Sequence, residues 1–249
     1  MTRIPISAAR RAMTAMLGYA RKIPSIPVVR PLNLAALIQA RRHAGEPVSW
    51  SSVFIRAYGI VCSQVPELRR VWISWPRPYL YEHPHSVCAV AIQRDWEGEK
   101  VVLKGLIRSP EATSLTTIHG HLRELQTAPV WSVSSYRSSL RFGQLPTLLQ
   151  RLVLWNKLDV SGERHVKYIG TFGMTNYGML GAESLHPLGP QSTVLTLSPI
   201  RPNGDVNVKL VYDHRILDGG TIARGLACLE DVLHGAILTE LRQSVRQAA

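Results

Sequence analysis

The sequence predicts an α/β protein, because hydrophobic patterns typical of strands and of helices both recur along its 249 residues. Apolar residues alternate with their neighbours at 206–212, the two-residue period of a β-strand. Directly downstream, at 222–233, apolar residues recur at helical spacing. A hydrophobic content of 45% and a charged content of 18% are typical of a folded chain. The length suffices for one large domain or two small ones.

Further elements follow the same two periods. Apolar runs at 87–92 and 101–107 predict two buried strands joined by a turn at 95–100. Asn203-Gly204 predicts a hairpin turn that leads into the strand at 206–212. Apolar stripes predict helices at 34–41, 48–64, 114–126 and 145–158. The first of these helices should end at Gly45 and Pro47.

The most informative stretch is Asp213-His214-Arg215-Ile216-Leu217-Asp218-Gly219, where a strand runs in and a helix leaves. His214 thus stands at the end of a rigid element, and the glycines permit a tight turn. The pair His214 and Asp218 alone is a weak signal, and it also fits a histidine held at a strand end beside a capping aspartate. The full string is far more specific.

This string resembles the active-site motif of the acyltransferase (E2) catalytic domain of 2-oxo acid dehydrogenase complexes, of which chloramphenicol acetyltransferase carries a relative. A second stretch, Gly170 to Met179, resembles the Gly-Thr-Phe-Thr-x-Ser-Asn-x-Gly string of the same E2 domain. Thr175 falls on the hydroxyl position of that string. The two motifs occur in the order that the family has.

The resemblance implies a mixed β-sheet packed with helices, the chloramphenicol acetyltransferase-like fold, in a single catalytic domain over 1–249. Neither a lipoyl domain nor a peripheral-subunit-binding domain is expected, nor a lipoyl group on this chain. Residues 128–168 depart from the E2 pattern and are expected to be a divergent insertion. The resemblance also implies a homotrimer, or a higher multiple of three, with active sites between subunits.

The same resemblance assigns roles to individual residues. His214 is expected to be the general base, since an imidazole titrates near neutral pH. Thr175 is expected to stabilise the tetrahedral oxyanion. Asp218 is expected to be buried and to brace the site through an arginine, for which Arg41 is the best match. Cofactor binding is assigned to Asn176, Gly178 and Gly219.

The expected function is that of a free-standing acyltransferase, which moves an acyl group from a coenzyme A thioester to a hydroxyl, amine or thiol acceptor. The acceptor would be a small molecule or carrier-bound. Two alternatives stay open. The chain could be a non-catalytic trimeric scaffold of the same fold, or it could take the acyl group from a donor tethered to a lipoyl group or a carrier protein.

The net charge, the cysteines and the histidines indicate which ligands and which compartment to expect. The net charge of +12 suits nucleic acid, anionic lipid or a phosphate-bearing ligand, and coenzyme A ranks above nucleic acid because no nucleic-acid-binding motif is present. Three widely spaced cysteines suggest reduced thiols and a cytoplasmic protein. The pairs His83/His85 and His119/His121 lack neighbouring acidic or cysteine ligands, so no metal is predicted.

Two segments have more than one interpretation. The helix at 145–158 has basic flanks and could be a lid, a membrane-surface element or a core helix. The aromatic, proline-rich stretch at 72–81 could line an acceptor pocket or simply pack against the core.

Overall fold

The computed structural model describes residues 3–43 and 48–248. The helices are α1 (Ala8–Ala20), α2 (Ala35–His43), α3 (Trp50–Gln64), α4 (Leu115–Thr127), α5 (Ser134–Gln144), α6 (Thr147–Leu158), α7 (Gly162–Ile169), α8 (Gly219–Val232) and α9 (Leu238–Ala248). The strands are β1 (Ser25–Asn33), β2 (Arg70–Ile73), β3 (Tyr79–Glu82), β4 (Val87–Trp96), β5 (Glu99–Arg108), β6 (Phe172–Asn176), β7 (Thr193–Leu197) and β8 (Asp205–Asp213). Gly45 and Pro47, the predicted end of α2, lie outside the described residues.

Six of these strands form one mixed sheet in the order β1-β8-β7-β6-β4-β5. The β4–β6 and β6–β7 pairs are parallel, and the other neighbours are antiparallel. Strands β2 and β3 pair separately as a short hairpin. The predicted mixed α/β sheet is therefore confirmed.

One face of the sheet carries the main hydrophobic core. Because side chains alternate between faces along a strand, every second residue of the central strands points into this core, under α3, α4 and α8. Its fully buried members include Phe54, Ile107, Phe172, Leu195 and Leu210. The prediction of helices near 48–64 and 114–126 is confirmed, with Ser49 and Ser114 as their N-caps.

The predicted hairpin turn at Asn203-Gly204 is present and delivers β8. Gly204 has φ of +92°, and a Cβ atom there would lie 2.6 Å from the backbone nitrogen of Ala35. A side chain is thus excluded by both conformation and space. β8 then carries the chain to His214, and α8 begins at Gly219.

Residues 128–168 fold into three helices, α5, α6 and α7, of which the sequence predicts α6 alone. α6 is apolar on two sides. Leu154 and Leu158 are buried, whereas Leu148 and Leu152 are exposed. The core-helix interpretation therefore describes only the inner side of α6. Within the described ranges, no helix is long and apolar enough to cross a bilayer.

Candidate active site

His214 follows β8 directly, and its backbone is fixed while its ring stays accessible. The His214 N–H donates to the carbonyl of Pro24 at 2.9 Å. The imidazole lies against Tyr212, with 5.5 Å between ring centroids. The side chain nevertheless keeps 44% of its surface exposed. A ligand can therefore reach an imidazole whose position is set by the sheet.

The aspartate and arginine that flank His214 form an ion pair with each other. Arg215 Nη2 lies 2.7 Å from Asp213 Oδ2, and Arg215 Nε donates to Asp213 Oδ1 at 3.0 Å. The backbone N–H of Arg215 also donates to Asp213 Oδ1 at 2.9 Å. The guanidinium lies 5.4 Å from the ring centroid of Trp72. Trp72, from the aromatic stretch, thus packs on the motif itself.

Asp218 and Arg41 do not meet within the chain, contrary to the expectation of a buried ion pair. Asp218 precedes α8 with 88% of its side chain exposed, and its Oδ1 lies 3.9 Å from His214 Nδ1. Arg41, in the last turn of α2, donates from Nε to the carbonyl of Val48 and lies 5.0 Å from the Trp50 ring centroid. An exposed carboxylate needs no buried partner.

Thr175 lies on β6, on the sheet face opposite the main core. Its hydroxyl makes no hydrogen bond within the described part of the chain, and its side chain lines a cavity. Thr196 of β7 stands directly opposite in the parallel register. The Thr196 hydroxyl is buried without a partner atom. Of these two neighbouring hydroxyls, only that of Thr175 lies in the cavity wall and is available to a ligand. The pairing of parallel strands is not encoded locally, so the sequence does not predict that Thr196 lies beside Thr175.

The predicted cofactor-binding residues divide between the two motifs. Asn176 Oδ1 accepts from the Gly178 N–H at 2.8 Å, which forms a tight turn directly after Thr175. A Cβ atom on Gly178 would lie 3.0 Å from Asn176 Oδ1. Gly219 opens α8, near His214, and a Cβ atom there would lie 3.6 Å from the Tyr212 hydroxyl. These three residues thus do not form one cluster.

The cavity beside Thr175 has a volume of about 600 Å³. Its floor is the second face of the sheet, where Ala89, Ala91 and Gly173 leave space that larger side chains would fill. Its other walls come from α1, α5, α6 and the 184–191 loop, with Met13 and Phe142 among the lining side chains. The segment 128–168 therefore builds part of this cavity.

Three lysines gather at Tyr168 in the cavity wall. Lys104 Nζ donates to the Tyr168 carbonyl, and Lys157 Nζ lies 3.9 Å from the Tyr168 ring centroid. Lys167 Nζ lies 6.0 Å from the same ring. Desolvation, and secondarily the charge of Lys157, lowers the pKa of Lys104 to about 8. Positive charge is thus concentrated in a mostly apolar cavity.

Within one chain, His214 and Thr175 lie far apart in space. Thr175 is opposite Thr196, and Thr196 is opposite Lys209 of β8. His214 lies five residues beyond Lys209. At about 3.3 Å per residue, the two side chains are separated by roughly 16 Å along the strand direction alone. Both motifs are therefore present, but a single chain does not bring them together.

The described residues contain no group of three or more His, Cys, Asp or Glu side chains placed to hold an ion. His119, expected on the surface, is partly buried. Its Nδ1 accepts from the backbone N–H of Ser49 at 3.2 Å.

Comparison with solved structures gives matches over almost the whole chain. A probable dihydrolipoamide acetyltransferase from Listeria monocytogenes is 20% identical, with 94% of each chain covered and a TM-score of 0.65. The dihydrolipoamide acetyltransferase (E2p) of Azotobacter vinelandii is 16% identical, with 96% of this chain and 94% of that chain covered and a TM-score of 0.69. A chloramphenicol acetyltransferase is 13% identical, with 94% of this chain and 100% of that chain covered and a TM-score of 0.53.

The fold is thus the chloramphenicol acetyltransferase-like fold, as the sequence motifs predict. Within that class, the TM-scores are higher for the E2-type structures than for chloramphenicol acetyltransferase. No protein-family profile matches the sequence, and no curated protein matches it.

Proposed function

We propose that this protein is an acyltransferase that moves an acyl group from a coenzyme A thioester to a hydroxyl, amine or thiol acceptor. The observation that carries the proposal is the accessible imidazole of His214 in one motif, together with the unpartnered hydroxyl of Thr175 in the other. Proteins with this fold include enzymes named as acetyltransferases, which supports acyl transfer as the reaction class.

His214 acts as the general base. An acceptor hydroxyl, amine or thiol is a poor nucleophile until its proton is removed, and imidazole performs this task at neutral pH. Asp218 lies four residues after His214 and near its Nδ1 atom. In the Azotobacter enzyme, a serine, a histidine and an asparagine were investigated for their role in the catalytic mechanism, with the asparagine four positions after the histidine. The matching spacing supports an auxiliary role for Asp218.

Thr175 donates a hydrogen bond to the oxyanion that forms when the acceptor attacks the thioester carbonyl. Such a donor must have no competing partner and must be rigidly held. Thr175 meets both conditions, because it lies on β6 and has an open hydroxyl. Thr196 stands beside it, but its hydroxyl is buried and does not line the cavity, so Thr175 is the proposed donor. The cysteines have no role, since direct transfer needs no acyl-enzyme.

The complete site would form between chains. A separation of roughly 16 Å along the sheet is too long for a base and an oxyanion donor to serve one reaction centre. A neighbouring copy could supply His214 to the Thr175 end of the cavity. The E2-type structures include the cubic core of a pyruvate dehydrogenase complex, a multisubunit assembly. A homotrimer or a higher multiple of three is therefore the proposed assembly.

The test is to incubate the protein with a panel of acyl-coenzyme A thioesters and candidate acceptors, while thiol release is followed. His214→Ala should lower turnover about 10²–10⁴-fold and remove the pH dependence that the imidazole imposes. Thr175→Ala should lower turnover about 10²–10³-fold with the shape of the pH profile retained.

Both variants should still bind coenzyme A, because neither role acts in ground-state binding. Full activity in a folded His214→Ala variant would refute the mechanism. No thiol release with any donor would favour the scaffold alternative. Activity that appears only with a lipoyl- or carrier-bound donor would replace coenzyme A with a tethered donor.

A further inference from the structure

We propose that the cavity beside Thr175 binds an amphipathic carboxylate, an apolar chain much longer than acetyl that ends in a carboxylate held by Lys104 and Lys157. The binding site is inferred from the cavity alone and does not depend on the proposed function. Its extension to catalysis rests on the proposed function, and there the ligand would be the acyl group of the thioester.

The cavity is much larger than an acetyl group requires. Its volume of about 600 Å³ lies within the roughly 300–1,000 Å³ that is typical of pockets for drug-sized ligands. A two-carbon group would leave most of that space unfilled. The space exists because the floor has Ala89, Ala91 and Gly173, and α5 and α6 enclose it as a wall.

The side chains of the cavity walls are mostly apolar and suit an apolar chain. Met13, Met16 and Leu17 of α1 face the cavity together with Phe142 of α5 and Leu154 of α6. Methionine side chains are flexible and adapt to apolar ligands of irregular shape. Burial of each methylene group on such a surface strengthens binding about fourfold. Each added carbon of a bound chain should therefore strengthen binding.

The lysines in the cavity wall favour a ligand that carries a negative charge. Lys104, Lys157 and Lys167 have no acidic partner within ion-pair distance in the described ranges. Lys209 provides a comparison on the same sheet face, because its ammonium is buried with Glu183 at 3.1 Å. A desolvated ammonium without a counter-charge is unfavourable. A ligand carboxylate would provide the charge that Glu183 provides for Lys209.

The register connects the lysines to the candidate catalytic hydroxyl. Met174 is opposite Val90, and Val90 is opposite Gly105. One residue further, Thr175 and Lys104 therefore share a row with Ala91 between them. Their backbones are about 10 Å apart, which is two strand spacings. A chain with a thioester at Thr175 and a carboxylate at Lys104 could lie across this row.

The direct test is calorimetric titration of the full-length protein with laurate, with dodecanol and dodecyltrimethylammonium as matched neutral and cationic probes. Laurate should bind, and octanoate, which has four fewer methylene groups, should bind roughly 200-fold more weakly. Dodecanol should bind at least tenfold more weakly than laurate, and the cation should not bind. Equal binding of laurate and dodecanol would overturn the carboxylate part of the proposal. No binding of any chain would overturn it entirely.

Two substitutions and one control locate the site. Lys104→Met should remove the preference for laurate over dodecanol while dodecanol binding is kept. Lys100→Met is the control, because Lys100 is an exposed lysine on the same strand. It should leave laurate binding unchanged. Ala91→Leu fills the floor and should weaken both ligands, with its melting temperature confirming that it folds. Unaltered laurate binding in folded Lys104→Met and Ala91→Leu would place the ligand elsewhere and refute the proposal.

Two further arms separate this inference from the proposed function. Coenzyme A without an acyl group should not displace laurate, and displacement would instead assign the lysines to its phosphates. For the acyl group, thioesters of dodecanedioic acid should be preferred over acetyl-coenzyme A. Turnover of acetyl-coenzyme A without laurate binding would refute the cavity proposal alone. Laurate binding without turnover of any thioester would refute the proposed function alone.

Discussion

Arg215 Nη2 lies 2.7 Å from the Oδ2 atom of Asp213, and this ion pair spans the histidine between them. Asp213 is buried, with 3% of its surface exposed, whereas Arg215 is partly exposed. The pair therefore closes the turn that carries His214, and Trp72 covers its guanidinium. The charges of Asp213 and Arg215 thus have a structural role in this chain, whereas His214 and Asp218 are exposed and free to contact a substrate.

Arg215→Met should destabilise the fold, because it leaves the Asp213 carboxylate buried without its counter-charge. We expect a loss of about 3 kcal/mol in the free energy of unfolding, the lower end for a broken buried pair, since Arg215 is partly exposed. Denaturant titration measures it. Arg70→Met is the control, because the Arg70–Glu82 pair is exposed on both sides, and it should cost less than about 1 kcal/mol. Equal losses in the two variants would contradict the structural role of the Asp213 pair.

Arg41→Met and Asp218→Ala should act independently on stability if the chain alone determines their contacts. Arg41→Met removes a hydrogen bond to Val48 and the contact with Trp50, which together should cost about 1 kcal/mol. Asp218→Ala changes an exposed side chain and should shift stability by less than about 0.5 kcal/mol. A double-mutant cycle checks additivity. A coupling above about 0.5 kcal/mol would support pairing of the two residues between chains.

Lys104→Met should raise the melting temperature at pH 7. Burial lowers the pKa of Lys104 to about 8, below its value in the unfolded chain. Below pH 8 both states are protonated, and the full penalty of a desolvated ammonium is present. Between pH 8 and about 10.5 the unfolded chain binds more protons, so wild-type stability rises relative to the variant. The titratable groups that act on Lys104 are Lys157, whose charge also lowers its pKa, and the buried His165, and its hydrogen-bond partner is the Tyr168 carbonyl.

Thermal melts from pH 6 to pH 10 measure this difference, within the range where the protein refolds. The difference in melting temperature between Lys104→Met and wild type should be largest at low pH and should narrow above pH 8. Lys100→Met controls for a general change in net charge. A gap that stays constant across pH would contradict the lowered pKa of Lys104.

The local patterns predict much of the fold. The N-cap Ser114 and the Asn203-Gly204 turn are each specified by a few adjacent residues. α5 was not predicted, because its serine-rich sequence hides the helical period. The cavity and the position of Thr196 beside Thr175 depend on the parallel register of β4, β6 and β7, which long crossovers determine. Arg41 was assigned by resemblance alone, and the chain places it beside Trp50 instead.

The outer side of α6 should bind anionic membranes. Leu148 and Leu152 are exposed there, Arg151 lies between them, and the net charge is +12. We expect the protein to co-sediment with phosphatidylserine vesicles at low salt and less at high salt. Leu152→Glu should reduce binding. Leu185→Glu makes the same change at an exposed leucine outside α6 and should not. Absence of binding at every salt concentration would rule out a membrane contact.

Subunit mixing should decide whether His214 and Thr175 act across an interface. Light scattering should first give roughly three times the chain mass. His214→Ala and Thr175→Ala chains are then each inactive alone, because each destroys one half of every site. In mixed trimers, some interfaces join the intact His214 of one chain to the intact Thr175 of its neighbour. An equal mixture should recover about a quarter of parental activity, since each half is intact with a probability of about one half.

The mixture must be made by co-expression or by unfolding and refolding together, so that chains exchange. The control mixes His214→Ala with a double variant that lacks both His214 and Thr175, which leaves no source of the imidazole and should recover nothing. We expect activity to recover in the first mixture and not in the control. Within one chain the two residues are separated by roughly 16 Å along the sheet, so an active site needs His214 from one chain and Thr175 from another. If both mixtures stay inactive while trimers form, each site is built within a single chain, and the shared-site arrangement is wrong.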